Sequence, residues 1–218
     1  MLNVRELYER SQERAEALIG QVAPQQMAAP TPCADWTVGR LIEHLNDHLR
    51  YIGSVGGENG SLDQMVRFRE GGGEWRLESA LAATSLELTT HSWDLARSIG
   101  VDDGIEPEVV ATRWARFLAD GPGPPRGPGL IGPAVPMPAS DPLHERFLGM
   151  MGRDPFALIP AVMATGPPDS GAAGRPTRCA GTLRTGMWSP SSSSGSSAVR
   201  SWGPWDRSSP LAPPAGSS

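Results

Sequence analysis

Glu87 and His91 stand four residues apart in a stretch whose apolar residues recur at helical spacing. On an α-helix that separation puts two side chains on one face, about 5–6 Å apart at Cβ, which suits two ligands of one metal ion. Both sit beside Thr84, Leu88 and Leu95 on the apolar stripe, and a glutamate buried there is costly unless it is paired or coordinated. His44 lies between Leu41 and Leu45 on another amphipathic stretch and faces the same expected core. His48, one turn on, offers an alternative ligand or a substrate contact. Three donors converging from two helices make the open site that catalytic zinc prefers, with a fourth position left for water or substrate. The same residue types also fit a partly exposed carboxylate and hydrogen-bonded core histidines, so spacing alone leaves both readings open.

The elements that must position these groups can be read from periodicity. Val4, Leu7, Tyr8, Ala15, Leu18, Ile19 and Val22 predict an amphipathic helix over 2–22, broken by Pro24, Pro30 and Pro32. Thr37 is a natural N-cap for a second helix carrying Val38, Leu41, Ile42, Leu45, Leu49 and Ile52 and ending near Gly53. Residues 53–73 are glycine-rich and read as loop, with Met65 to Arg69 as a short strand or single turn. From Glu74 the strongest helical pattern runs through Leu77, Ala80, Leu81, Thr84, Leu88, His91, Leu95 and Ile99 to a stop at Gly100. Pro107 opens a further helix through Val109, Val110, Trp114, Phe117 and Leu118. After a Gly/Pro loop over 121–138, Pro142 starts a last short helix that closes near Gly152.

Composition bounds the setting. The 218 residues contain no lysine, and all 19 basic residues are arginine. Residues 1–156 carry 14 Arg against 22 Asp and Glu, so the body is acidic, which argues against nucleic acid as its partner. No stretch approaches the roughly 18 apolar residues of a membrane span, and the first residues lack the apolar core of a signal peptide. With two cysteines, Cys33 and Cys179, in dissimilar regions, a reducing cytoplasm is the expected compartment. Beyond residue 156, Ser, Pro, Gly, Ala and Arg dominate and periodicity is lost. The expected organisation is a helical domain over 1–156 and a disordered tail over 157–218. An out-of-frame reading of GC-rich DNA would yield the same mixture.

Two motifs carry a family resemblance. Thr31-Pro-Cys-Ala-Asp-Trp-Thr-Val-Gly-Arg-Leu-Ile-Glu-His-Leu45 and Glu87-Leu-Thr-Thr-His-Ser-Trp-Asp-Leu-Ala-Arg-Ser-Ile-Gly100 resemble the paired signatures of an actinobacterial metal-binding family. That family is related to mycothiol-dependent maleylpyruvate isomerase, within the DinB-like superfamily. Ile131 to Pro138 and Leu148 to Pro155 resemble its C-terminal end. The resemblance implies an all-α, up-down helical bundle that binds a divalent metal, zinc by type, through His44, Glu87 and His91. It also implies mycothiol as a thiol cosubstrate, with a small electrophile as its target. Trp36, Trp93 and Asp94 match signature positions and read as packing or hydrogen-bonding groups; Cys33 reads as packing rather than as a nucleophile.

Family members carry another long helix between the two motifs, whereas here 50 residues separate Trp36 from Leu86 and most are loop. One bundle helix is therefore expected to be missing. Leu45, Leu49, Leu81 and Leu88 should then line an exposed groove that invites a homodimer, unless Ser61 to Arg69 folds back over it. The competing functions are a metal-dependent thiol transferase or isomerase-like enzyme, a non-catalytic metal-binding module, and a truncated, inactive bundle.

Overall fold

Asn3 starts the first helix by a capping box. Its side chain accepts from the backbone N–H groups of Arg5 and Glu6, while Glu6 accepts from the Asn3 N–H at 2.8 Å. The computed structural model describes residues 1–33, 36–56, 59–68, 73–120, 126 and 131–158. Helix α1 (Val4–Ile19) buries Val4, Leu7, Tyr8, Ser11, Ala15 and Leu18, the stripe its sequence sets out, but it is shorter at both ends than expected. Helix α2 (Val38–Ser54) is capped by Thr37, whose hydroxyl accepts from the Arg40 N–H. Its buried face is Val38, Leu41, Leu45, His48 and Ile52, so His48 occupies a core position in the helical repeat.

Helix α3 (Leu77–Ile99) is the central element. From Thr84 to Ala96 nearly every residue is buried, because α1 and α2 pack on one side of it and a smaller cluster on the other. Gly100, at φ +74°, takes the left-handed conformation that ends the helix. Helices α4 (Pro107–Asp120) and α5 (Leu143–Met150) build the smaller cluster from Val110, Phe117, Phe147 and Leu148, with Trp93 of α3 and Met151 just after α5. The chain is thus an all-α bundle with five α-helices among the described residues.

Three expectations are corrected here. Glu74 does not begin a helix: Glu74–Arg76 is strand β2, paired antiparallel with β1 (Met65–Arg67), and α3 starts three residues later. The pairing sets Val66 opposite Trp75, and the Phe68 ring stacks on Trp75 at 4.2 Å. Tyr51 of α2 meets Phe68 edge-on and donates its hydroxyl to Arg67 O at 3.1 Å. The hairpin thereby lays Val66, Phe68 and Trp75 on the main core. The open groove is not formed. Leu45, Leu81 and Leu88 are all 0% exposed and Leu49 is partly buried, which removes the ground for expecting self-association. Leu118, expected on the buried face of α4, is 73% exposed. The tail assigned to 157–218 lies, from residue 159 on, outside the described residues. No helix among the described residues is long and apolar enough to cross a membrane.

Candidate functional site

The two motifs meet. Thr31 shapes the entry to α2: its hydroxyl oxygen lies 3.0 Å from Cys33 O and 2.9 Å from Trp36 O, and it accepts from the Cys33 N–H at 3.1 Å. That turn buries Cys33 completely and lays the Trp36 indole against the rings of both His44 and His91, with centroids 4.7 and 5.4 Å away. The tryptophan is therefore a wall of the site as well as a wedge between helices.

His44, from α2, and Glu87 and His91, from α3, converge as the spacing predicts. Glu87 Oε2 lies 3.5 Å from His44 Nε2 and 3.2 Å from His91 Nε2. The His44 contact is an ion-pair distance without hydrogen-bond geometry, so Nε2 of His44 is a buried polar atom lacking a hydrogen-bond partner. Ligands about 2.0–2.2 Å from a tetrahedral zinc stand roughly 3.3–3.6 Å from one another. The separations of 3.5 and 3.2 Å, both measured from Glu87 Oε2, are close to that spacing, so Glu87 can share an ion with either histidine. His48 also reaches the site: single donor atoms of His44, His48 and Glu87 lie within 4.8 Å of one another.

The charges are strongly coupled. Burial would raise the Glu87 pKa, but its interactions with His44 and His91 outweigh this and hold it well below the ordinary carboxylate value. Burial lowers His44. His91 is also penalised by burial, yet hydrogen bonds to Asp94 and Glu87 lift it to about 9. Asp94, 0% exposed, is pushed up by burial but brought well below its usual range by Arg153 and His91.

Behind His91 lies an assembly that the sequence did not disclose. Nδ1 of His91 is 2.9 Å from Asp94 Oδ2, and Arg153 Nη2 donates to the same oxygen at 2.7 Å. Asp94 was legible as a hydrogen-bonding residue. Arg153 was not, because it follows the last helix, lies 59 residues away in sequence, and belongs to no periodic pattern. Its sequence signal is its place in the Leu148 to Pro155 segment, after a glycine at a helix end, which does not disclose its partners.

Fold and site together define a helical bundle in which two facing helices present a His–Glu–His group. Comparison with known proteins narrows this. Residues 8–58 match the family model described as Mycothiol maleylpyruvate isomerase N-terminal domain, so the resemblance of the first motif is shown. The match contains His44 and His48 but ends before Glu87 and His91. Two Mycobacterium tuberculosis proteins are each 28% identical to this chain over 176 residues, 67% of this chain and 95% of theirs. They are Uncharacterized protein MT0763 (strain CDC 1551 / Oshkosh) and Uncharacterized protein Rv0738 (strain ATCC 25618 / H37Rv). No solved structure matches the chain.

Proposed function

We propose that this protein binds one divalent, zinc-type ion through His44, Glu87 and His91 and presents it to a low-molecular-weight thiol. The observation that carries this reading is the convergence of both histidine Nε2 atoms on one Glu87 oxygen, at 3.5 and 3.2 Å. A bound ion of this type deprotonates a coordinated thiol and so makes it a nucleophile. The chain's own residues supply the rest. Asp94 accepts from Nδ1 of His91 and so holds Nε2 toward the ion. Trp36 flanks both imidazoles. The family resemblance makes mycothiol the favoured thiol and a small electrophile its target, in the cytoplasm, where thiols stay reduced.

His48 supports a second reading. Because its donor atom lies within 4.8 Å of those of His44 and Glu87, it is a further ligand that would occupy the position a substrate needs. Closed sites are structural, whereas catalytic sites keep a position open. The protein would then be a non-catalytic metal-binding module. The third reading, a damaged bundle, is opposed by the closed core under the hairpin.

Metal content of the purified chain tests the site. About one zinc per chain is expected in the wild type and a large loss in His91→Ala; equal content in both would refute the assignment. Thiol transfer by the zinc-loaded protein, measured beside His48→Ala, separates enzyme from module. An enzyme with an open site transfers in the wild type, and a closed module does so in neither.

A further inference from the structure

His91 has a second face. Its Nδ1 lies 2.9 Å from Asp94 Oδ2 and 3.8 Å from Cys33 Sγ, and the thiol donates to Asp94 Oδ2 at 3.4 Å. One sulfur, one imidazole nitrogen and one carboxylate oxygen thus stand within 4.8 Å of one another, all on buried residues. Thiolate, imidazole and carboxylate are each zinc ligands, and the thiolate makes this set softer than the His–Glu–His set. Two ligand sets therefore share His91, one on each ring nitrogen.

The second set is filled by a side chain. Arg153 Nη2 lies 2.7 Å from Asp94 Oδ2, 3.4 Å from Cys33 Sγ and 3.5 Å from His91 Nδ1, and its Nε lies 3.3 Å from Asp94 Oδ1. Nη1 donates to Met151 O at 2.7 Å, which fixes the guanidinium from behind. The approach is built into the backbone. Gly152 at φ +73° turns the chain inward after α5, and a Cβ there would stand 3.0 Å from Pro133 O. A guanidinium keeps its charge in proteins, so it excludes a second cation by charge as well as by volume.

We propose that Arg153 is a resident cation that fills the Cys33–His91–Asp94 ligand set and so confines a divalent ion to the Nε2 side of His91. It is a positioning residue, acting on the metal through Asp94 and His91. The inference rests on the metal-site reading above and adds that the chain carries a latent thiolate site, closed by its own arginine. Removing the arginine lets an ion bind Cys33 as thiolate and His91 through Nδ1, the thiol proton and the Nδ1 proton both passing to solvent.

Cobalt(II) titration of the full chain tests this, read by near-ultraviolet absorption and by metal count. The wild type should take one cobalt with no sulfur-to-cobalt charge-transfer band. Arg153→Gln should gain that band, with a second cobalt or with transfer of the first, and Cys33→Ser in the same background should abolish it. Arg153→Lys, which keeps the charge, should show no band, and it serves should the glutamine variant fail to fold. A band in the wild type or in Arg153→Lys overturns the proposal. So does a folded Arg153→Gln that shows no band at saturating cobalt. If the wild type takes no cobalt while Arg153→Gln takes one with the band, the His44–Glu87–His91 reading fails and the role of Arg153 stands.

Discussion

Replacing Asp94 with asparagine separates two roles of one side chain. Asp94 is 0% exposed and touches His91 Nδ1 at 2.9 Å and Arg153 Nη2 at 2.7 Å. Asparagine keeps the shape and loses the charge, so Arg153 is left buried without its counter-ion. Breaking a buried pair in this way costs about 3–5 kcal/mol, a large share of the roughly 5–15 kcal/mol that holds a domain together. The second loss falls on the metal. Removing the carboxylate that orients a ligating histidine lowers affinity about 10–100-fold. The double variant Asp94→Asn/Arg153→Met pulls these apart. With the orphaned charge gone, stability should return to within about 1–2 kcal/mol of the wild type, while metal affinity stays low. Urea unfolding followed by circular dichroism gives the first quantity, and competition with a chromophoric chelator gives the second. If Asp94→Asn alone loses less than about 1 kcal/mol, or the double variant is no more stable than the single, then the Asp94–Arg153 pair is not formed as described. Unchanged zinc affinity would remove Asp94 from the orientation of His91.

Other outcomes follow from the same geometry. Phe68→Ala should cost about 3–4 kcal/mol in urea unfolding, since it deletes a buried ring and its stack on Trp75; it should also raise dye binding by uncovering Leu45, Leu81 and Leu88. The metal-free chain should lose stability in alkali. The folded pKa of His91, about 9, lies above its ordinary 6.5, so its contribution is complete below about pH 6.5 and fades as pH rises through 9. Unfolding midpoints across that range should flatten in His91→Gln. Gly152→Ala should cost roughly 1–2 kcal/mol because alanine is strained at φ +73°. The full chain should sediment as a monomer at high concentration, given the covered core.

The site was more legible than its cover. His44, Glu87 and His91 announce themselves because a helix turns spacing into direction, and all three lie on or beside apolar stripes. The hairpin does not. Three-residue strands carry too little alternation to register, and the helical pattern of Leu77 onward extends smoothly back over Glu74, Trp75 and Arg76. What decides those residues is the pairing of Val66 with Trp75 and the stack of Phe68 on Trp75, which are tertiary facts. Arg153 was hidden for a related reason: an ion pair across 59 residues leaves no periodic trace. Leu118 continues the apolar stripe of α4, but among the described residues it stands 73% exposed near the helix end.

The position of Arg153 along the chain has a consequence for synthesis. Chains emerge N-terminus first and fold as they do so. Cys33, His44, Glu87, His91 and Asp94 all leave the ribosome before Arg153, so for a time the nascent bundle holds its buried carboxylate with no guanidinium beside it. During that interval the thiol, the carboxylate and the second imidazole nitrogen are open to whatever cation is at hand. If Arg153 fills the Cys33–His91–Asp94 set as proposed, completion of the fold is then also an act of selection, since one late side chain closes that set to any ion.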